Sequence, residues 1–430
     1  MLRTALAAGV LAAIAAQQAS AAGFLEDSKA SLTARNFYYN GDNRDGAADP
    51  SKQEEWGQGF ILDYQSGFTQ GTVGFGVDAL GLLGIKLDSG KGTSGQLFPS
   101  GDDGQAADQF ASLGLTAKAR FSKTEARLGT LRPKLPVLVY NDGRLLPQTF
   151  EGAQIDSKEI DNLTLVGGKI EHAKGRNSTD NEGLSISGSN KATGQRSNAF
   201  YYAGGDYKLS KDLTAQYYYG NLKEFYTQHF FGLKHSLALP VGKLKTDMRY
   251  FYSDSDGKNS SAEGRLDGYK ATGKNSAHTE VDSQVWSLFS SYELSGHSFG
   301  LGYQQANGDS DMPFINQGDG STVYLITNSQ IGKFQRAGER TWVAKYGYDF
   351  ANVGLPGLSA SLAYFSGRDI EAAGAGSEWE RDISVGYVVP EGTFKGVGLA
   401  WKNAAIRSGV NSQRDQDRNR VILSYTLALF

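Results

Sequence analysis

Basic side chains recur along this 430-residue chain at positions that an alternating backbone would turn to one face: Arg35, Lys118, Arg127, Lys245, Arg249, Lys345, Lys402 and Arg420. Carboxylates of the same parity are fewer, chiefly Asp63, Asp78, Glu125, Asp247 and Asp382. A row of cations that outnumbers its acids suits the handling of anionic groups. Arginine presents a planar fork that takes both oxygens of a carboxylate. Successive charges also let such a group step along without falling into one deep well. The plainer alternative is that each cation pairs with a neighbouring acid and only satisfies the face it lies on.

A second set sits within one segment, 131–156. It carries Arg132, Lys134, Tyr140, Asp142 and Arg144, three of the chain's nine prolines, and the apolar residues Leu135, Val137, Leu138, Val139, Leu145, Leu146 and Phe150. A solvated surface loop would not hold so much apolar mass. A loop folded inward would, with proline stiffening it. The expectation is a constriction loop over 133–156 that sets its charges beside a passage. An aromatic acid would fit there, its carboxylate on arginine and its ring against Tyr140 or Leu138. Asp309 and Asp311, in a long polar stretch, are candidates to meet a cation or a substrate ammonium.

Other chemistry finds little support. The chain has no Cys, which excludes thiolate metal sites, disulfides and Cys nucleophiles. His172, His229, His235, His278 and His297 show no metal-ligand spacing. Gly296-His-Ser-Phe-Gly300 spells a nucleophile elbow, but that motif needs a strand–turn–helix setting, and here it opens a strand. No cofactor or metal is expected. A formal charge of −3 gives no reason to expect nucleic acid as a partner.

The elements that must position these groups are strands. Leu113, Leu115, Ala117, Ala119 and Phe121 share one parity, and Thr116, Lys118 and Arg120 the other. Val421, Leu423, Tyr425, Leu427 and Leu429 alternate in the same way with Arg420, Ile422, Ser424 and Thr426. Period two puts one set on each face of a strand. Eighteen such segments can be placed: 29–39, 56–67, 70–80, 110–121, 124–132, 158–171, 182–190, 198–209, 213–222, 226–239, 243–253, 283–294, 297–306, 339–350, 358–366, 380–389, 396–406 and 419–430. They run about 9–12 residues, enough to cross an outer membrane at a tilt, whereas sandwich strands average about 5–6.

Further signs agree. Trp56, Trp286, Trp342, Tyr364, Tyr387 and Tyr425 sit at the ends of the apolar face, as an aromatic girdle requires. Tight turns alternate with long polar connections, and all nine prolines fall between strands. The run Val323–Gln330 is apolar but would break the up-and-down order, so it belongs to a long loop. The expected fold class is all-β: a transmembrane antiparallel β-barrel of about eighteen strands with long extracellular loops. Closure leaves no sheet edge in lipid, and this size leaves room for an aqueous lumen.

Met1–Ala21 joins a basic start (Arg3) to an apolar stretch and the small-residue site Ala19-Ser20-Ala21, the shape of a secretory signal peptide cleaved after Ala21. Residues 22–430 then form a single outer-membrane barrel domain. Its partners would be membrane lipid and lipopolysaccharide outside and small organic acids within.

Five stretches carry a family resemblance. Gly23-Phe-Leu-Glu-Asp-Ser28, Ser66-Gly-Phe-Thr-Gln-Gly-Thr-Val-Gly-Phe-Gly-Val-Asp78, Gly129-Thr-Leu-Arg-Pro133, Arg144-Leu-Leu-Pro-Gln-Thr149 and Gly354-Leu-Pro-Gly-Leu358 are similar to motifs of the OprD family of substrate-specific outer-membrane carboxylate channels of pseudomonads. The resemblance spans nearly the whole mature chain. It implies an eighteen-stranded, largely monomeric barrel with inward-folded loops and a basic ladder that guides a substrate carboxylate. Arg35, Arg127, Arg144 and Arg420 fall in matching motifs, and Arg132 and Lys134 at the matching start of the constriction loop. Where relatives can carry further wall cations this chain has Ala363, Gly386 and Gly398, leaving Lys402 or Arg381 to substitute. The loop wording resembles the branch that prefers cyclic or aromatic carboxylates more than the branch taking basic amino acids or peptides. A general diffusion porin is the nearest rival function. An outer-membrane barrel enzyme is the rival from another class, and for it no nucleophile, base and orienter stand together.

Overall fold

Strict alternation lets a strand bury one row of side chains and expose the other without breaking its ladder. A computed structural model describes residues 21–44, 50–187, 195–274, 276–315, 322–372 and 376–430. The signal peptide expected over 1–21 lies outside them except for Ala21. The wall begins with β1 (Lys29–Asn43), β2 (Lys52–Gln65), β3 (Val73–Ser89), β4 (Gln109–Phe121), β5 (Thr124–Leu131) and β6 (Thr149–Ser157). It continues with β7 (Leu163–Lys174), β8 (Phe200–Lys208), β9 (Leu213–Leu222), β10 (Tyr226–Ala238), β11 (Lys243–Ser255) and β12 (Asp282–Leu294). It ends with β13 (His297–Asn307), β14 (Arg340–Asp349), β15 (Leu358–Arg368), β16 (Ser377–Val388), β17 (Gly398–Ser408) and β18 (Gln416–Ala428). Consecutive strands pair antiparallel, and β18 returns to β1 with Ser31 opposite Ala428 and Asn43 opposite Gln416. The result is a closed barrel of eighteen strands, as the alternation predicts.

Its outer surface is apolar. Leu113, Leu115, Leu301, Trp342 and Leu423 are all exposed on it. Along β12, buried Ser283, Val285 and Ser287 alternate with exposed Gln284, Trp286 and Leu288. An apolar band around the whole outside of a closed sheet is the mark of a wall facing lipid.

The core lies inside the barrel, between the inner face of the wall and loops that turn inward. One cluster joins Val137, Leu138, Met312, Phe314 and Val323 from loops to Ile170, Phe200 and Phe230 on strands. A second joins Leu97, Phe98, Leu145 and Leu146 to Phe37 and Tyr39 on β1. A smaller one sets Ile326 and Phe334 against Val343 and Phe365. Apolar burial therefore holds the loops in the lumen. Glycine on the wall makes room for them: a Cβ at Gly59 would lie 3.0 Å from the carbonyl oxygen of Leu145.

Two segments differ from the sequence reading. The sixth strand is Thr149–Ser157, so the inward loop ends at Gln148 rather than Asp156. Ile155 is the one large apolar residue on its outer row, and a bulge shifts register at Glu151/Gly152, so its alternation is faint. The expected strand over 182–190 is not a wall strand where it is described. Glu182–Gly183 pairs with Ala173 and His172 of β7, and Leu184 and Ile186 form single bridges to Ser197 and Ile315; residues 188–190 lie outside the described set. Leu184 and Ile186 enter the inner cluster and Ser185 and Ser187 are buried beside them, so the apolar–polar alternation here mimics a membrane strand without an exposed face. The gain and the loss offset each other, and the count of eighteen stands. Val323–Gln330 does lie in the long loop between β13 and β14.

Candidate functional site

The loop between β5 and β6 crosses the lumen because it is anchored on both sides. A small hairpin pairs Lys134–Leu135 with Leu138–Val139, and Val137 and Leu138 enter the first inner cluster. Leu145 and Leu146 enter the second. Between these anchors the tip is held by charge. Arg35 on β1 donates from Nη1 to Asp142 Oδ1 at 2.8 Å and to the carbonyl of Arg144 at 2.8 Å. Arg144 is buried, donates to Gln96 Oε1 at 2.8 Å, and stacks its guanidinium 4.9 Å from the centroid of Tyr39.

The predicted cations fall into two groups. Several are matched by carboxylates, as the plainer alternative holds. Arg35 meets Asp142, Arg132 meets Asp63, and Arg127 meets Glu125 at 2.7 Å. Arg249 meets Asp247 at 2.5 Å and lies 3.9 Å from the Tyr324 ring centroid. Lys118 and Lys245 likewise pair with Asp78 and Glu293. Arg127, Arg132, Lys134 and Tyr140 converge with Asp63 and Asp78 on one cavity of about 320 Å³ beneath the loop. There Lys134 Nζ sits 5.4 Å from the Tyr140 ring centroid.

The other group has no carboxylate within ion-pair distance among the described residues: Lys134 on the loop, and Lys345, Lys402 and Arg420 on the wall. Lys345 Nζ donates to the carbonyl of Ile326 at 3.1 Å and lies between the rings of Phe289 and Phe365. Lys402 on β17 stands opposite Arg420 on β18, and Arg420 opposite Tyr39 on β1. Arg418, two residues from Arg420 on the same row, stacks 5.4 Å from Tyr39 on its own account. Tyr39 thus has a guanidinium from the loop and another from the wall, which concentrates positive charge on one stretch of β17, β18 and β1.

Sequence reasoning missed Arg418, although its shared parity with Arg420 was a usable signal. Nothing in the sequence marked Gln330, which contacts both arginines. Arg381 cannot extend the inner row. Glu378, Glu380 and Asp382 hold the buried parity of β16, and Arg381 turns outward with Trp379 to hydrogen-bond Asn403. Asp309 and Asp311 lie at the loop mouth. Asp309 pairs with Lys274 at 3.2 Å, and Asp311 accepts from Thr272 Oγ1 at 2.8 Å and from the Ala337 amide at 3.1 Å. They bind loop to loop and touch none of the basic wall residues.

A barrel whose lumen is narrowed by loops over a basic wall is the architecture of a selective pore, and the model of the OprD family of outer membrane porins matches residues 22–429. The chain belongs to the OprD family. It is 39% identical to the porin-like protein GalP of Pseudomonas putida over 97% of this chain and 96% of that one. Among solved structures, OccK8 (OprE) of Pseudomonas aeruginosa superposes with a TM-score of 0.88 at 61% identity, covering 95% of this chain and all of that one (100%). OpdK of Pseudomonas aeruginosa, solved with vanillate, gives 0.84 at 36% identity over 94% and 100%. This OprD-family porin is accordingly a channel of the Gram-negative outer membrane, and its relatives are porins. The short turns and both chain ends are then periplasmic, and the long loops extracellular.

Proposed function

We propose that this porin takes up small carboxylate-bearing solutes, cyclic or aromatic acids foremost, by passive diffusion along its basic wall, without catalysis. The observation that carries the reading is the adjacent set Lys402, Arg420 and Arg418, with Lys345 further round the wall, which lacks ion-paired acids among the described residues. Such cations keep their charge available to a passing anion, whereas Arg35, Arg127, Arg132 and Arg249 are already compensated. OpdK, solved with vanillate, supports an aromatic acid as the solute class. Water in the lumen keeps each contact shallow enough for release. The chain works as a monomer or weak oligomer among lipid and lipopolysaccharide after removal of residues 1–21. Planar-bilayer recordings with the purified protein test the reading: chloride current should be blocked by benzoate at concentrations where a neutral solute of equal size has no effect. Equal block by both would mark a general diffusion pore.

A further inference from the structure

The loop between β13 and β14 reaches the basic wall at a tight turn in which Ser329 N donates to Gly332 O at 3.3 Å. The backbone of this turn is fixed by acids on the inner row of β16. Glu380 accepts from Ile331 N at 2.8 Å, Gly332 N at 2.7 Å and Ser329 Oγ at 2.7 Å, and Asp382 accepts from Gln330 N at 3.0 Å. Gln330 then faces β18. Its main-chain oxygen accepts from Arg418 Nη1 at 2.8 Å, and its side-chain oxygen accepts from Arg420 Nη2. Its side-chain nitrogen donates to the carbonyls of Ile383 at 3.2 Å and Asn403 at 3.3 Å.

Two oxygens of one neutral residue thus occupy two neighbouring guanidiniums; the main-chain oxygen stays on Arg418, and the side-chain oxygen holds the place on Arg420 that an oxygen of a carboxylate would take. We infer that the Gln330 side chain is a displaceable stand-in for the permeating carboxylate, a rotameric gate over Arg420. This rests on the basic-wall reading above and adds the residue that sets its affinity. A neutral amide oxygen satisfies buried Arg420 when no anion is present. An arriving carboxylate brings a full negative charge and two oxygens to a guanidinium that the amide meets with a dipole alone, and takes its place. Only side-chain rotation is needed, because the main chain stays pinned to Glu380 and Asp382. Arg420 also keeps its Nε without a hydrogen-bond partner although the residue is 6% exposed, so a donor remains for the incoming anion.

The test uses the full-length porin in planar bilayers, with benzoate block of chloride current as the readout and heat-modifiable gel migration confirming a folded barrel. Gln330→Ala and the equally long Gln330→Met remove the competitor. Each should strengthen benzoate block by about threefold to tenfold. Gln330→Glu places a permanent carboxylate on Arg420 and should weaken block by at least as much. In an Arg420→Ala background the Gln330→Ala effect should vanish. Unchanged or weakened block in both Gln330→Ala and Gln330→Met, beside a weaker block in Arg420→Ala, overturns the gate alone. Unchanged block in Arg420→Ala overturns the basic-wall reading and the gate with it.

Discussion

Arg35 and Arg420 stand on adjacent strands of the wall, yet their surroundings give them different work. Arg35 is spent on Asp142 and two loop carbonyls, so it staples the loop between β5 and β6 into the lumen. Arg420 meets Gln330 and has no acid within ion-pair distance among the described residues. Removing a charge that is already compensated changes ligand affinity little, whereas removing a free one deletes a charge-assisted contact. Arg420→Ala should therefore weaken benzoate block about tenfold, and Arg127→Ala, whose partner is Glu125, by about twofold or less. Titration of benzoate against single-channel current checks both; equal effects would place the carboxylate elsewhere. Glu339, just before β14, poses the opposite problem. It is buried, Glu378 lies nearby, and its Oε1 has no hydrogen-bond partner. Burial first, then the Glu378 charge, holds its carboxyl well above the usual range. A raised acid favours the folded state below its ordinary titration range and costs stability as the pH rises. Glu339→Gln should thus raise the thermal midpoint of the folded barrel at about pH 8 and leave it unchanged at about pH 4. Heat-modifiable migration across a temperature series reads the difference.

At the scale of elements, buried acids on the wall recur as anchors for inward loops. Glu55 on β2 accepts from the amides of Gln96 at 2.6 Å, Leu97 at 2.8 Å and Phe98 at 3.3 Å, just as Glu380 holds the turn at 329–332. Gln96 in turn holds Arg144, so one wall carboxylate positions a cation two contacts away. Bonds to an ionised acceptor contribute about 1.5–3 kcal/mol each, against roughly 1 kcal/mol for neutral ones. Glu55→Gln should release the 90–108 loop while leaving the wall intact. Limited proteolysis should then cut within 90–108 in the variant and spare the native protein. These anchors also show what the sequence could carry. Strand alternation was legible because lipid and lumen impose opposite chemistry on successive residues along 9–12 positions. β6 escaped because only Ile155 marks its outer row, and Leu184 with Ile186 misled because a loop packed on a core can alternate too. The cations themselves were legible by parity. Which of them lacked a partner was not, since that depends on loop residues such as Asp142 and Gln330, far away in sequence.

The whole molecule is a wide closed wall whose bore is set by what folds into it. Eighteen strands alone would leave an aqueous channel of general-porin width. Here three inner clusters among the described residues narrow the lumen, and each includes loop residues. Selectivity and conductance should therefore separate from barrel stability. The sharpest case is the loop between β5 and β6, which contributes Val137 and Leu138 to one cluster and Leu145 and Leu146 to another while carrying Asp142 and Arg144 between them. β5 and β6 pair directly from Thr124 opposite Ser157 to Leu131 opposite Phe150, so a short turn in place of 134–146 leaves the wall ladder complete. Such a variant should fold to a heat-modifiable barrel. It frees Arg35 from Asp142, opens the space beneath the loop around Arg127 and Arg132, and takes the Arg144 guanidinium away from Tyr39. Single-channel conductance should rise severalfold, and discrimination between benzoate and a neutral solute of equal size should shrink toward unity. A folded variant that keeps both its conductance and its preference would move the constriction to the loops at 90–108 and 308–339.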